Sequence, residues 1–357
     1  MHIISELANE WFVKNKSNIN VALVTNLEPS PQEVHKNSAL RLKERYFSHK
    51  IISQFIQGFR DLGVYTEVFE NEAKYLQSLA TQKYPDNKRT MNFVYNLTEP
   101  GFGAGGISLI SVVSRFYGLI CCNSDPHAST MGRHKFHSYC VLKEAGVSLP
   151  KSWWYIGNGK WSSNKKPQLG TKVIAKSTYE SCSIGIDSSS IFEFDADSTK
   201  LESQFNKVNQ PLFVQEYIAG KELSIPVIIG DSIQVLDPVL NYLDSPDTDD
   251  LLLTEDAVFK GINVKKIKFT SSNPGLIKDL KDSAASAAKA LGFSGISRID
   301  YRVDSNDNYY VIDVGAVPVL YKGSSVEVSS SWSGISFHNL LEIMLFSSFE
   351  CHMSTQE

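Results

Sequence analysis

Gly295-Ile296-Ser297-Arg298-Ile299-Asp300-Tyr301-Arg302-Val303-Asp304, then Ser305-Asn306-Asp307-Asn308, then Tyr309-Tyr310-Val311-Ile312-Asp313-Val314-Gly315-Ala316-Val317-Pro318, is the most strongly patterned stretch of this chain. Two runs rich in β-branched and aromatic residues flank a short polar turn, which predicts a β-hairpin. Asp300 belongs to the first strand and Asp313 to the second. Antiparallel pairing across that turn can set both on one face, where two carboxylates repel unless a cation lies between them. Mg²⁺ suits such a pair, because it takes oxygen ligands, keeps waters and uses one or two carboxylates beside nucleotide phosphates. Arg298, two residues before Asp300, points to the same face. An arginine beside a metal-bound phosphate fits phosphoryl transfer. Taken alone, the stretch is equally compatible with a surface hairpin bearing scattered charges.

The chain around it has 357 residues, enough for two or three domains and a sizeable core. Hydrophobic residues make up 42% and charged residues 21%, as in globular proteins generally. A net charge of −4 gives no electrostatic reason to expect nucleic acid or an anionic membrane as partner. Cys121, Cys122, Cys140, Cys182 and Cys351 are odd in number and lack metal-ligand spacing, so reduced thiols in a cytoplasmic protein are expected. The first residues show no signal peptide, and no apolar run reaches the ~18 residues of a membrane span. No internal repeat is visible.

Working back from the N-terminus, residues 19–25 read as a buried strand and 38–62 as an amphipathic helix ended by Gly63. Residues 64–69 alternate like a strand, giving a β-α-β order and a parallel sheet. Residues 91–97 form another strand, which enters the glycine-rich run 98–106 and then a helix over 107–119. Backbone amides at such a helix start can hold an anion, although the run is neither a Walker loop nor a dinucleotide fingerprint. A helix opens at His134-Lys135-Phe136 and is capped by Gly146. Residues 157–170 read as a polar loop, and Val173-Ile174-Ala175-Lys176 as a strand leading into the small-residue loop Tyr179–Ile186. A lysine closing a strand there is well placed to meet phosphates. Strands follow at 211–218 and 222–229, then an acidic loop at 241–256 and a helix at 275–291.

In order and spacing, Val173–Lys176 with its loop, Gln215-Glu216-Tyr217-Ile218-Ala219-Gly220-Lys221-Glu222, and Arg298-Ile299-Asp300 with Asp313 thirteen residues on resemble the ATP-grasp superfamily, specifically the D-alanine–D-alanine ligase-like family. The resemblance covers nearly the whole chain. It implies an α/β protein of ATP-grasp fold: an N-terminal parallel α/β domain over 1–130, a central subdomain over 131–215, and a C-terminal subdomain over 216–357 carrying the metal site, the last two clasping ATP. It further implies that Lys135 and Lys176 hold ATP phosphates, that Glu180 and the loop Ser181, Cys182, Ser183 cover them, and that Gln215, Glu216, Tyr217 and Ile218 present backbone groups to adenine. Glu222 would bind the ribose, and Asp300 and Asp313 would ligate Mg²⁺. Arg298 would stabilise the transferred phosphoryl group and a later oxyanion, with Ser183 as the second member of the family's serine pair. The implied chemistry joins an amino-acid-like carboxylate to an amine through an acyl phosphate, carried by positioning and charge rather than by a side-chain nucleophile. A homodimer is compatible with it; a nucleic-acid or membrane partner is not implied.

The chain departs from the family at identifiable places. Asp313-Val314-Gly315 stands where the family has Glu-x-Asn, so Gly315 offers no side-chain ligand. Cys182 replaces the first serine of the pair. The lid region is acidic, with Lys260 the nearest substitute for its phosphate lysine, and the glycine-rich loop lacks the family's histidine and acidic residues. These differences favour a specialised ligase for other amino-acid-like substrates. They also keep open a second class, a catalytically impaired ATP-binding regulatory protein of the same fold.

Overall fold

The computed structural model of the chain describes residues 3–27, 47–85, 88–98, 103–181, 183–243, 252, 254 and 264–354. Three sheets organise these residues. The first is parallel: β1 (Ile19–Val24) lies between β2 (Tyr65–Phe69) and β3 (Met91–Asn96), with β4 (Ile120–Cys121) beside β3. All six residues of β1 are buried, as expected of a central strand covered on both faces. Helices α1 (Ile3–Asn15), α2 (His49–Asp61), α3 (Glu72–Ala80) and α4 (Leu109–Phe116) belong to this layer. Local chemistry sets their starts: Ser48 Oγ accepts from the Ile51 amide and Asn71 Oδ1 from the Lys74 amide, caps worth about 1 kcal/mol each.

The expected helix over 38–62 therefore begins at His49; residues 38–46 lie outside the described residues. The helix expected over 107–119 is instead a 3₁₀ turn over Gly103–Ser108 followed by α4, which stops at Phe116 because Gly118 turns into the left-handed region. Glycine-rich residues 99–102 lie outside the described residues. A helix that sequence periodicity did not suggest, α5 (Pro126–Arg133), precedes α6 (Lys135–Glu144); Asp125 accepts from the His127 amide and Pro126 opens the first turn.

The second sheet is antiparallel, with β5 (Ser152–Gly157), β6 (Lys160–Trp161), β7 (Lys172–Ser177), β8 (Ile191–Glu193) and β9 (Leu212–Glu216) in the order β6-β5-β9-β7-β8. Part of the loop expected at 157–170 is thus the short strand β6. α7 (Thr199–Val208) covers the sheet with Leu201, Phe205 and Val208 against Tyr155, Val173 and Val214.

The third sheet holds β10 (Lys221–Ile229), β11 (Ile233–Val235), β12 (Val239–Tyr242), β13 (Lys265–Lys268), β14 (Gly295–Val303) and β15 (Tyr309–Gly315). Its order is β13-β12-β10-β14-β15, with β11 on β10. β14 and β15 form the expected hairpin; the Asp304 carboxylate accepts the amides of Asn306 and Asn308 and fixes the turn. Period-two alternation splits the sheet's two faces. Leu223, Ile225, Val227, Ile299, Tyr301 and Val303 pack on Leu276, Leu280, Ala284 and Ala287 of α8 (Pro274–Ala290). Shortening Leu280, which is fully buried, to alanine would cost roughly 2–5 kcal/mol. The opposite face turns Glu222, Ser224, Arg298, Asp300 and Arg302 toward a cavity, while its Ile228 and Ile296 join the core under the first sheet. α9 (Ser325–Trp332) and α10 (Phe337–Ser354) complete the chain. Leu340, Leu341, Ile343 and Met344 of α10 share one core with α1, α2 and β1, joining the end of the chain to the first sheet.

Candidate active site

A cavity of about 610 Å³ lies between the second and third sheets. On the third sheet, strand register fixes its floor. Ser224 on β10 is opposite Asp300 on β14, and Asp300 is opposite Asp313 on β15. Directly after this pair the register shifts: Tyr301 faces Val311, leaving Ile312 as the extra residue of a β-bulge. The bulge keeps Asp313 on the cavity face while Val311 stays in the core. Arg298 grips Asp300 with two nitrogens, Nε at 2.8 Å from Oδ1 and Nη2 at 2.7 Å from Oδ2. One row further on, Glu222 is opposite Arg302 on one side and Asn241 on the other, and Asn241 is opposite Lys266. Arg302 Nη2 lies 3.1 Å from the Glu222 carboxylate, and its Nη1 donates to the Gly220 carbonyl at 2.9 Å.

The roof comes from the second sheet and α6. Lys176, near the end of β7, is buried; its Nζ donates to Gln215 Oε1 at 3.0 Å and to the Ile312 carbonyl at 3.2 Å. Burial drives its ammonium down to about 8, against the opposing pull of Asp313. Lys135, at the start of α6, donates to the Glu180 carbonyl at 2.6 Å and stands 3.8 Å from Asp313. Burial alone would raise the Asp313 carboxyl, but Lys135, Lys176 and Arg298 together hold it below the usual range. Glu222 goes the other way: burial raises it, and Arg302 offsets only part of the effect.

The small-residue loop closes one side. Ser183 and Gly185 adopt left-handed backbone, and the Ile184 and Ile186 amides donate back to Ser181 and Ser183 in two successive tight turns. Ser181 and Ser183 line the cavity; Cys182 lies outside the described residues. Gln210 docks the segment by donating to the Glu180 carboxylate and accepting the Tyr179 amide. Along the connector, the amides of Glu216 and Tyr217 donate to the carbonyls of Lys151 and Lys172. Of the amides from 216 to 218, that of Ile218 has no hydrogen bond with a described residue. Gln215 turns its side chain to Lys176.

The structure thus gathers Lys135, Lys176, Glu180, Ser181, Ser183, Gln215, Glu216, Tyr217, Ile218, Glu222, Arg298, Asp300 and Asp313 around one cavity. The sequence reading missed Arg302, Gln210, Asn241, Ser224 and Lys266. For Arg302 the available signal was strand alternation: it follows Arg298 and Asp300 at period two. Lys260 and most of the acidic loop at 241–256 lie outside the described residues, although Asn241 and Tyr242 end β12. Among the described residues no three carboxylate, histidine or cysteine side chains cluster tightly enough to hold a metal unaided. Two opposed carboxylates nonetheless fit an ion that fills its shell with water and phosphate oxygens, as Mg²⁺ does. Also among them, no helix is long and apolar enough to cross a membrane.

A parallel α/β layer followed by two antiparallel sheets that enclose a charged cavity is the ATP-grasp architecture. Solved structures share it. D-alanine–D-alanine ligase from Bacillus anthracis complexed with ATP superposes with a TM-score of 0.70 at 14% identity, covering 94% of this chain and 99% of that one. The VanG D-Ala:D-Ser ligase from Enterococcus faecalis gives 0.61 at 15% identity over 93% and 99%. Residues 141–346 match the family described as D-ala D-ala ligase C-terminus, and the chain belongs to that family. Among curated relatives, D-alanine–D-alanine ligase from a Synechococcus species is 24% identical over 291 residues, 81% of this chain and 84% of that protein. The same enzyme from Thermotoga petrophila is 24% identical over 311 residues, 86% and 94%.

Proposed function

We propose that the protein is an ATP-dependent carboxylate–amine ligase that joins amino-acid-type substrates through an acyl phosphate. The observation that carries this reading is the opposition of Asp300 and Asp313 at one register, with Arg298 beside them and Lys135 and Lys176 facing them across the cavity. Such a constellation neutralises a polyphosphate and steers a phosphoryl group. In this reading residues 1–130, 131–215 and 216–357 act as the three functional units. The Ile218 amide and its neighbours meet adenine, Glu222 meets the ribose, and Lys135 and Lys176 meet the phosphates under the 180–183 segment. Asp300 and Asp313 are the residues that would hold Mg²⁺, which supplies charge neutralisation at the phosphates. A substrate carboxylate oxygen attacks the γ-phosphorus and ADP leaves. An amine then attacks the acyl carbon, phosphate departs, and the amine nitrogen loses its proton. Arg298 faces the charge that develops in both steps, and Ser183 orients the carboxylate. The names of the relatives direct the first screen to D-amino acids. Gly315 and Cys182, in place of side chains the family uses, favour a pair other than two D-alanines. The cytoplasm, where ATP is supplied and thiols stay reduced, suits this chemistry.

The test is release of ADP and phosphate with Mg²⁺ over a panel of D- and L-amino acids, with hydroxylamine added to trap the acyl phosphate as a hydroxamate. Amino-acid-dependent ADP release and an ATP-dependent hydroxamate are expected. AMP and pyrophosphate would instead show adenylate chemistry and overturn the reading.

A further inference from the structure

Most cations around the cavity are already balanced. Arg298 chelates Asp300, Arg302 pairs with Glu222, Lys135 lies near Asp313, and Lys176 is spent on Gln215 and the Ile312 carbonyl. Lys266 on β13 differs. It lines the cavity, it is partly buried, and among the described residues no carboxylate pairs with it. Its register with Asn241, and of Asn241 with Glu222, carries its side chain onto the polar face of the sheet. Asn241 is itself tied down by its hydrogen bond to Ser224 Oγ at 3.1 Å. Burial disfavours the Lys266 ammonium. A cation without a counter-charge in a partly dry cavity bears that cost alone. An anion held beside it removes the cost and accepts a charge-assisted hydrogen bond.

We infer that Lys266 forms a cationic subsite in the cavity for an anionic oxygen group of the reactants, either a phosphoryl group of the nucleotide or the carboxylate of an amino acid. The inference rests on the ligase reading for its choice of reactants, and Lys266 is the residue it adds. Its neighbour Lys265 supplies the control. Lys265 carries the same charge on the opposite face of β13, near the Tyr242 ring, and does not line the cavity.

The experiment compares the parent with Lys266→Met, Lys266→Arg and Lys265→Met. Melting-temperature titrations with MgATP and with inorganic phosphate are run beside KM and kcat for ATP and for the best amino acid of the screen. A charge-assisted contact is worth a factor of about ten or more in affinity. If the anion is phosphoryl, Lys266→Met raises the MgATP midpoint and KM by about that factor. If it is a carboxylate, the MgATP midpoint is unchanged and the KM for the amino acid rises instead. In both cases Lys266→Arg recovers most of the loss and Lys265→Met behaves as the parent. A Lys266→Met protein with parental midpoints and KM values overturns the inference while leaving the ligase reading intact, as does a Lys265→Met protein equally impaired. If the parent turns over no ATP, the ligase reading fails, and the MgATP and phosphate titrations alone decide on Lys266: a lost response upholds the subsite, and an unchanged or absent one overturns it.

Discussion

Replacing Arg302 with methionine should destabilise the protein through Glu222. Only 6% of the Arg302 side chain and 12% of the Glu222 side chain are exposed, and the guanidinium also binds the Gly220 carbonyl and lies 5.7 Å from the Tyr217 ring. Removing one partner of a buried ion pair typically costs roughly 3–5 kcal/mol. Here Glu222 can escape part of that cost, because burial already raises its pKa and it would take up a proton once Arg302 is gone. The low end, about 3 kcal/mol, is therefore expected. With an unfolding entropy of about 2.1 cal/mol/K per residue, a chain of this length should lose about 4 °C in Tm. Calorimetry on Arg302→Met, Glu222→Gln and the double variant would show it. The double variant should melt well above the sum of the two single losses, because neither change leaves a buried charge behind in its presence. Losses that simply add, or a single Arg302→Met variant within ~1 °C of the parent, would refute this account of the pair. The same variant should also weaken MgATP binding, since the residue proposed to meet the ribose loses its anchor.

The other expectations follow from separate parts of the molecule. His134 is stacked on His137 and accepts the His137 amide at Nδ1, and burial pushes it down to about 4. The unfolded chain then takes up that proton first, so His134 should cost the parent roughly 3 kcal/mol as pH falls from about 6.5 to 4. His134→Asn, which keeps a capping acceptor, should flatten this part of the Tm–pH curve; parallel curves for parent and variant would exclude the assignment. Lys176→Ala should reduce the Tm rise given by MgATP, and an undiminished rise would remove Lys176 from the phosphate site. Asp300→Asn and Asp313→Asn should each lower turnover by about 10²–10³ in an ADP-release assay, the scale of one electrostatic catalytic group. In the same assay Gly315→Asn should lower the Mg²⁺ concentration for half-maximal rate. A Cβ there would sit 3.7 Å from the Arg298 carbonyl, in ordinary contact, and the backbone is not left-handed. An unchanged or raised requirement would count against Gly315 as a missing ligand.

What the sequence disclosed tracks the range of the interactions concerned. The β14–β15 hairpin is local: its alternation and its Asp304–Asn308 turn are written within two dozen residues, so the opposition of Asp300 and Asp313 could be read directly. The bulge at Ile312 could not, because it depends on how Val311 and Asp313 divide between core and cavity. Arg302 and Glu222 are 80 residues apart and meet only through the β10–β14 register, which no local pattern encodes. Lys266 lies on a four-residue strand, too short to show a period. β6 and β8 escaped for the same reason. α5 lacks an apolar stripe, although Asp125-Pro126 carried a start signal.

The placement of α10 bears on how the protein is made. Its Leu340, Leu341, Ile343 and Met344 fill the core against Ile4, Ala8, Phe55 and Phe59, and an alanine at Gly58 would collide with Leu341 and Phe337. On the ribosome, the strands of the first sheet emerge more than two hundred residues before the helix that seals them. Until then the apolar faces of α1 and α2 have no complete cover, while the second and third sheets can already close on their own clusters. The first sheet and its helices thus reach their native packing only after α10 has emerged, and their exposed faces are where a chaperone would meet the nascent chain.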